Sequence, residues 1–171
     1  MYCNKLLFTL ALLLMSTFSY SQVVNNTTEL NNAINAATPG TTIILADGTW
    51  NDVFIDIDKN GTAASPIVIT AQNAGAVLMT GNSRVYMEGA YITVSGLVFQ
   101  NPANLVTTST IIEPVFELDD CDYCKIINNK IDSYNGTEAQ KTLKFKWVLT
   151  DGQYNEIAYN SFIGKYGIGS I

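Results

Sequence analysis

A three-position pattern recurs in this chain at a long, nearly constant interval, and it limits the fold more than any other feature. Val94, Leu97 and Phe99 return as Ile126, Asn129 and Ile131, and again as Ile157, Asn160 and Phe162, at steps of 32 and 31 residues. Earlier, Ile43, Ile67 and Tyr91 follow one another at steps of 24. Antiparallel hairpins, as in a β-sandwich, have no reason to preserve one side-chain pattern over such distances. A solenoid must preserve it, because each turn buries its inward face only by stacking equivalent apolar side chains on those of its neighbour. A basic turn of 24 residues, lengthened later by loops, accommodates three short strands.

Short apolar runs at 41–45, 53–57, 66–70, 77–79, 91–94, 97–99, 115–118 and 125–127 read as those strands. Gly, Asn, Asp and Pro separate them, as turn chemistry requires. The exception is near the start, where Leu30, Ala33, Ile34 and Ala37 recur at helical spacing from Thr28 until Thr38-Pro39-Gly40 stops them. This helix is expected to cap the first turn and cover its edge. Asn129 and Asn160 are expected to stack at matching corners, tolerating left-handed backbone angles and bonding to the next turn. The expected fold is all-β: a right-handed parallel β-helix with a short N-terminal capping helix, its solenoid incomplete at the C-terminal end.

Residues 1–21 read as an export leader. Lys5 precedes an apolar run over 6–15 that is too short to span a bilayer, and Ser19-Tyr20-Ser21 places small residues for cleavage before Gln22. Residues 22–171 are then the β-helix, exported from a bacterial cell to the periplasm or beyond, with no stable membrane anchor. The formal charge is −6, and −7 without Lys5; Arg84 is the single arginine and there is no histidine. That composition argues against nucleic-acid binding and excludes a histidine-based triad or zinc–histidine site within these residues. Cys121-Asp122-Tyr123-Cys124 lacks a second ligand pair for zinc and precedes a strand rather than a helix, so structural cysteines or a local disulfide are expected. Asp119, Asp120 and Asp122 do not follow the EF-hand spacing and read as a solvated turn.

The segment 39–50, Pro-Gly-Thr-Thr-Ile-Ile-Leu-Ala-Asp-Gly-Thr-Trp, resembles the opening turn of polysaccharide lyase family 6, which includes alginate lyases and chondroitinase B. The stretches 61–69 and 80–83 are similar to that family's second turn, and 91–99 to its third. Lys146-Trp147-Val148, Gly152, Asn155-Glu156, Asn160, Phe162, Gly164-Lys165 and Gly167 are similar to a later family stretch. The chain departs from the family at Glu156, at Ala158-Tyr159 and at Asn101-Pro102, which bears on substrate contacts rather than on fold.

The resemblance implies β-elimination on a uronic-acid polysaccharide, alginate first and chondroitin or dermatan sulfate next. The proton beside the uronate carboxylate is weakly acidic, and its removal requires charge neutralisation, which the family obtains from Ca²⁺ with a lysine base and an assisting arginine. In the family these groups come from later turns. No catalytic residue and no metal ligand is therefore assigned here, the Ca²⁺ ligands are expected beyond residue 171, and the 171 residues alone are expected to be inactive. The partner is an anionic polysaccharide. Lys146 and Lys165 are the candidate substrate-binding residues. Lys141 and Lys144 lie close in sequence, and Lys144 and Lys146 alternate with Phe145 and Trp147, so both would share one strand face. That face is either a cationic groove wall, with Trp147 or Tyr154 stacking on sugar rings, or a solvated face over core aromatics. The alternative function is a non-catalytic β-helix that binds carbohydrate or acts as an adhesin module.

Overall fold

The structure is a computed structural model that describes residues 20–167. The expected leader therefore lies outside the described residues, apart from Tyr20 and Ser21. Those two open β1 (Tyr20–Val24), which the sequence reading did not anticipate. α1 (Thr27–Ala36) follows. Asn26 is extended, and its side chain accepts the Glu29 N–H at 2.9 Å while the Glu29 carboxylate accepts the Asn25 N–H at 2.8 Å. This reciprocal cap satisfies donors that a helix start leaves open. Leu30, Ala33 and Ile34 are buried, as their spacing predicts. The helix ends where Ala37 turns extended two residues before Pro39.

The first turn then runs through β2 (Thr41–Leu45), β3 (Gly48–Asn51) and β4 (Phe54–Asn60). The second comprises β5 (Ile67–Ala71), β6 (Val77–Gly81) and β7 (Arg84–Ala90). The third holds β8 (Ile92–Ser95), β9 (Leu97–Pro102), the short β10 (Ile111–Ile112) and β11 (Phe116–Asp122). The fourth repeats this with β12 (Lys125–Ile127), β13 (Lys130–Asp132), β14 (Lys144–Phe145) and β15 (Val148–Thr150), and β16 (Glu156–Ala158) and β17 (Ser161–Ile163) begin a fifth. Three parallel sheets form the coil, and β10 and β14 pair in a fourth, two-stranded one. The first is β1-β2-β5-β8-β12-β16, the second β3-β6-β9-β13-β17, and the third β4-β7-β11-β15. This is the parallel β-solenoid expected, of about four turns, with α1 packed on β1, β2 and β4 at its first end.

The core is the interior of the coil. In the first sheet Ile43, Ile69, Val94 and Ile126 stack in register and are fully buried. Met79, Phe99 and Ile131 do the same in the second sheet, and Ile55, Val85 and Phe116 in the third. Each such burial contributes roughly 1.5–3 kcal/mol before conformational entropy is charged against it. The register corrects the early part of the repeat. Ile43 pairs with Ile69 and not Ile67, and Ile67 pairs with Ile92 and not Tyr91. The slip at Ile67 is two residues and keeps the same face inward, so periodicity alone does not reveal it; the slip at Tyr91 is one residue, and the inward side chain is Ile92. Tyr91 sits just before β8 in a left-handed conformation, φ 53°.

Asn129 and Asn160 form the expected ladder. Asn129 is buried; its Oδ1 accepts the Leu97 N–H at 3.0 Å and its Nδ2 donates to the Val94 carbonyl at 3.0 Å. Asn160 repeats this one turn on, accepting from the Asn129 N–H and donating to the Ile126 carbonyl. The left-handed residues at this corner are their predecessors, Asn128 and Tyr159, in line with Gly96. The ladder asparagines thus work through their side chains, bonding backbone groups at the corner of the neighbouring turn.

The lengthening of later turns is confined to one corner. From the second sheet to the third, Trp50 to Ile55 and Met79 to Val85 are five and six residues, whereas Phe99 to Phe116 and Ile131 to Val148 are 17.

Candidate functional site

The two long connections at that corner, residues 103–115 and 133–147, fold against each other into a lateral lobe. β10 and β14 pair in it, Ile111 with Lys144 and Ile112 with Phe145. Ile112, Phe145 and Leu105 are buried between them, and the Gln140 amide donates to the Leu105 carbonyl at 2.8 Å. The Tyr134 hydroxyl lies 2.7 and 2.8 Å from the carbonyls of Gly81 and Ser83, tying the lobe to the second turn; burial pushes this phenol's pKa up.

The alternation of residues 144–147 is real, and it decides between the two sequence readings of the aromatics. Phe145 and Trp147 are buried while Lys144 and Lys146 are exposed. Trp147 is fully inaccessible, so it is a core residue and not a sugar-stacking one. Its carbonyl accepts the Phe116 N–H at the entrance to β15, and its indole N–H donates to the Tyr134 carbonyl beneath the lobe.

Four of the eight lysines, Lys141, Lys144, Lys146 and Lys165, lie on or beside this lobe. Lys141 approaches Glu138 at 3.4 Å and lies 4.8 Å from the centre of the Tyr166 ring. Lys165 is half-buried with its ammonium 5.6 Å from the centre of the Phe145 ring, and burial lowers its pKa. Lys144 and Lys146 have no acidic partner among the described residues. The structure therefore places Lys165 against the residue next to Lys146, but the Phe145 ring is internal and Lys146 faces solvent. Other basic groups are engaged: Lys125 with Glu156 at 2.7 Å, Lys130 with Asp132 at 2.7 Å, and Arg84 with Glu113 at 3.5 Å.

The outward face of the third sheet has the opposite character, carrying Asp56, Asp58, Glu88, Glu117 and Asp119. Burial and the neighbouring Glu113 and Asp119 push the Glu117 carboxyl above its ordinary value, against the opposing pull of Arg84. Tyr86 reaches across this face to Asp119 at 2.8 Å and to Glu88 at 3.2 Å. Among the described residues no three acidic, histidine or cysteine groups converge to hold a metal ion. The Ca²⁺ ligands are expected beyond residue 171, and no step is derived through the ion.

Cys121 and Cys124 are bonded to each other and fully buried. The bridge closes a turn that follows a bulge in β11, where Asp119 and Asp120 stand opposite the single Glu88. Asp119 and Asp120 are exposed at the bulge and Asp122 accepts the Gln153 N–H, so these acids lie on strand β11 and not in the solvated turn that the sequence suggests. Within the bridge, Tyr123 stacks between Tyr91 and Tyr154. The sequence reading named Tyr154 but did not join the three, although their spacing reproduces the 32- and 31-residue steps of the main repeat.

The Chondroitinase B family model matches residues 24–171. The chain belongs to the chondroitinase B family. Solved structures agree with this membership. A PL6 family alginate lyase, AlyGC, superposes with a TM-score of 0.78 at 28% identity over 86% of this chain and 20% of its own. A PL6 family polysaccharide lyase from Pseudopedobacter saltans gives 0.74 at 33% identity, over 85% of this chain and 32% of its own. A mannuronic acid specific family 6 lyase from human gut microbiota, at 18% identity and a TM-score of 0.72, supports the fold alone. No curated protein sequence matches. The chondroitinase B family chain thus spans between a fifth and a third of the first two structures' chains, and its similarity to them supports a lyase-like function.

Proposed function

We propose that the protein carrying this chain is an exported polysaccharide lyase that cleaves a uronic-acid polymer by β-elimination. Alginate is the preferred substrate, and chondroitin or dermatan sulfate the next. The observation that supports the reading is the family match over residues 24–171, joined to 28% and 33% identity with two PL6 lyases. In this reading the Ca²⁺, the lysine base and the assisting arginine belong to turns outside the matched portion. The part of this chain is to build the solenoid on which those turns stack and to present cations to the polymer. Lys146 and Lys144 suit that role, being exposed and without an acidic partner, and Lys165 supports the same lobe from its place over Phe145. Such charge raises the local concentration of a polyanion without chemistry of its own.

The test is a lyase assay on the longest available form of the protein with Ca²⁺ present, following the ultraviolet absorbance of unsaturated uronate. Product from alginate supports the reading, and product from chondroitin or dermatan sulfate alone shifts the substrate within it. Binding without product from any uronic-acid polymer overturns the lyase reading and favours a non-catalytic module. The 171-residue protein alone is expected to give no product.

A further inference from the structure

The tyrosine stack has a feature that packing alone does not explain. Tyr91, Tyr123 and Tyr154 occupy the same corner in successive turns, between the third sheet and the first, and all three are left-handed, with φ of 53°, 56° and 59°. Gly, Asn and Asp adopt that conformation most readily, and a bulky side chain in it is an outlier that calls for a reason. Burial is not the reason, because Tyr123 is 41% and Tyr154 70% exposed. Stacking is part of it: ring centres lie 4.8 and 4.7 Å apart, with planes within 1° and 12° of parallel. Phenylalanine would stack as well, yet each ring carries a hydroxyl, and none of the three hydroxyls has a protein partner among the described residues.

The rings form one wall of an open groove of about 410 Å³ that runs across successive turns. Facing them is a row from the outer side of the first sheet, Thr93, Lys125 and Glu156, in register. Lys125 and Glu156 are paired, but both are about half exposed, so a ligand carboxylate can join or replace Glu156 at small cost. A line of hydroxyls at the spacing of the turns, opposite an ammonium group, matches a chain that repeats hydroxyls and carboxylates along its length.

We propose that this groove is a saccharide-binding site separate from the lysine lobe. It takes an acidic oligosaccharide along the solenoid axis, with the tyrosine hydroxyls bonding sugar hydroxyls and Lys125 meeting a carboxylate. The acidic class of the ligand rests on the lyase reading; the groove and its hydroxyl row do not.

The test is an NMR titration of the 171-residue protein with mannuronate tetrasaccharide, with cellotetraose as the neutral counterpart. Shifts are expected at Tyr91, Tyr123, Lys125 and Tyr154, with a millimolar dissociation constant. Replacing the three residues together, Tyr91→Phe, Tyr123→Phe and Tyr154→Phe, keeps the stack and removes the hydroxyls. This variant is expected to hold its thermal midpoint and to bind about fivefold more weakly. Lys125→Gln weakens binding similarly, and Lys130→Gln, on the second sheet, does not. Undiminished binding by the triple variant, shifts confined to residues 144–146, or no shift at about 20 mM ligand would overturn the site. Equal binding of cellotetraose would overturn the acidic ligand and the role of Lys125. Failure of the lyase reading would appear in a different assay, as missing product, and would leave this titration unchanged.

Discussion

The indole N–H of Trp147 donates to the backbone carbonyl of Tyr134 at 2.7 Å, joining the two ends of the longer excursion that forms the lateral lobe. Both residues are buried, and the Tyr134 hydroxyl bonds into the second turn at the same place. The lobe that carries Lys141, Lys144 and Lys146 is therefore closed at its base by buried hydrogen bonds of Trp147 and Tyr134. Trp147→Phe removes the donor and leaves both a void and an unsatisfied carbonyl, at a cost of roughly 2–4 kcal/mol. Denaturant unfolding of the variant measures this, and amide exchange at residues 135–146 should accelerate more than in the solenoid strands.

Asn129→Ala should be among the most damaging single changes. It removes the side-chain partner of the buried Leu97 N–H and of the Val94 carbonyl. Each orphaned group costs about 1–3 kcal/mol, so the loss should be about 2–4 kcal/mol after relaxation. Asn160→Ala should cost less, because Asn160 is only half-buried at the last described turn. Parallel denaturant curves for the two variants give the comparison.

Glu117 predicts a pH dependence of definite sign. Its carboxyl is pushed above the ordinary 4.5, so the folded chain holds this proton more tightly than the unfolded chain. Stability from this group is greatest at acid pH. It falls as pH rises from the ordinary carboxylate range through the raised value, and stays lower above it. Glu117→Gln should therefore raise the thermal midpoint at pH 7 and leave it unchanged at pH 3. A gain of equal size at both pH values would refute the assignment.

The Cys121–Cys124 bridge spans a sequence separation of three, so its entropic contribution is modest. The chain-entropy estimate for so short a loop is about 2 kcal/mol. The double variant Cys121→Ser, Cys124→Ser should lose about that much stability on denaturant unfolding while keeping the β-rich circular dichroism of the parent.

Lys144→Gln with Lys146→Gln removes two exposed charges that have no acidic partner among the described residues. Retention of the protein on immobilised alginate should fall several-fold at low salt and match the parent near 1 M salt, where screening extends only about 3 Å. Equal retention at low salt would mean that the lobe does not meet the polymer.

The solenoid was legible in the sequence because its determinant is periodic. Val94, Ile126 and Ile157 announce the stack, and the register pairs those very residues. What escaped was aperiodic or locally ambiguous. β1 is short, largely polar and exposed, and its reason for being a strand is its partner β2. The 24-residue step missed the register by two residues at Ile67, where an even slip preserves the inward face, and by one at Tyr91, where the inward residue is its neighbour Ile92. The lysine pair was visible as an alternation, but burial of Trp147 depends on the lobe folding over it. The tyrosine stack had a signal in its spacing, hidden because Tyr91 reads as a strand residue and Tyr123 as part of a cysteine motif.

All growth of the later turns enters at the corner between the second and third sheets, while the paired core positions before and after it remain in register. That corner behaves as a docking bay for inserted sequence. Because the core strands pair in register on both sides of this corner, inserted sequence can vary there while the stacking of the coil is kept. A foreign loop grafted between Pro102 and Phe116 would enter at a corner where the coil already accepts extra length, provided that it replaces the apolar cover given by Leu105, Ile112 and Val115.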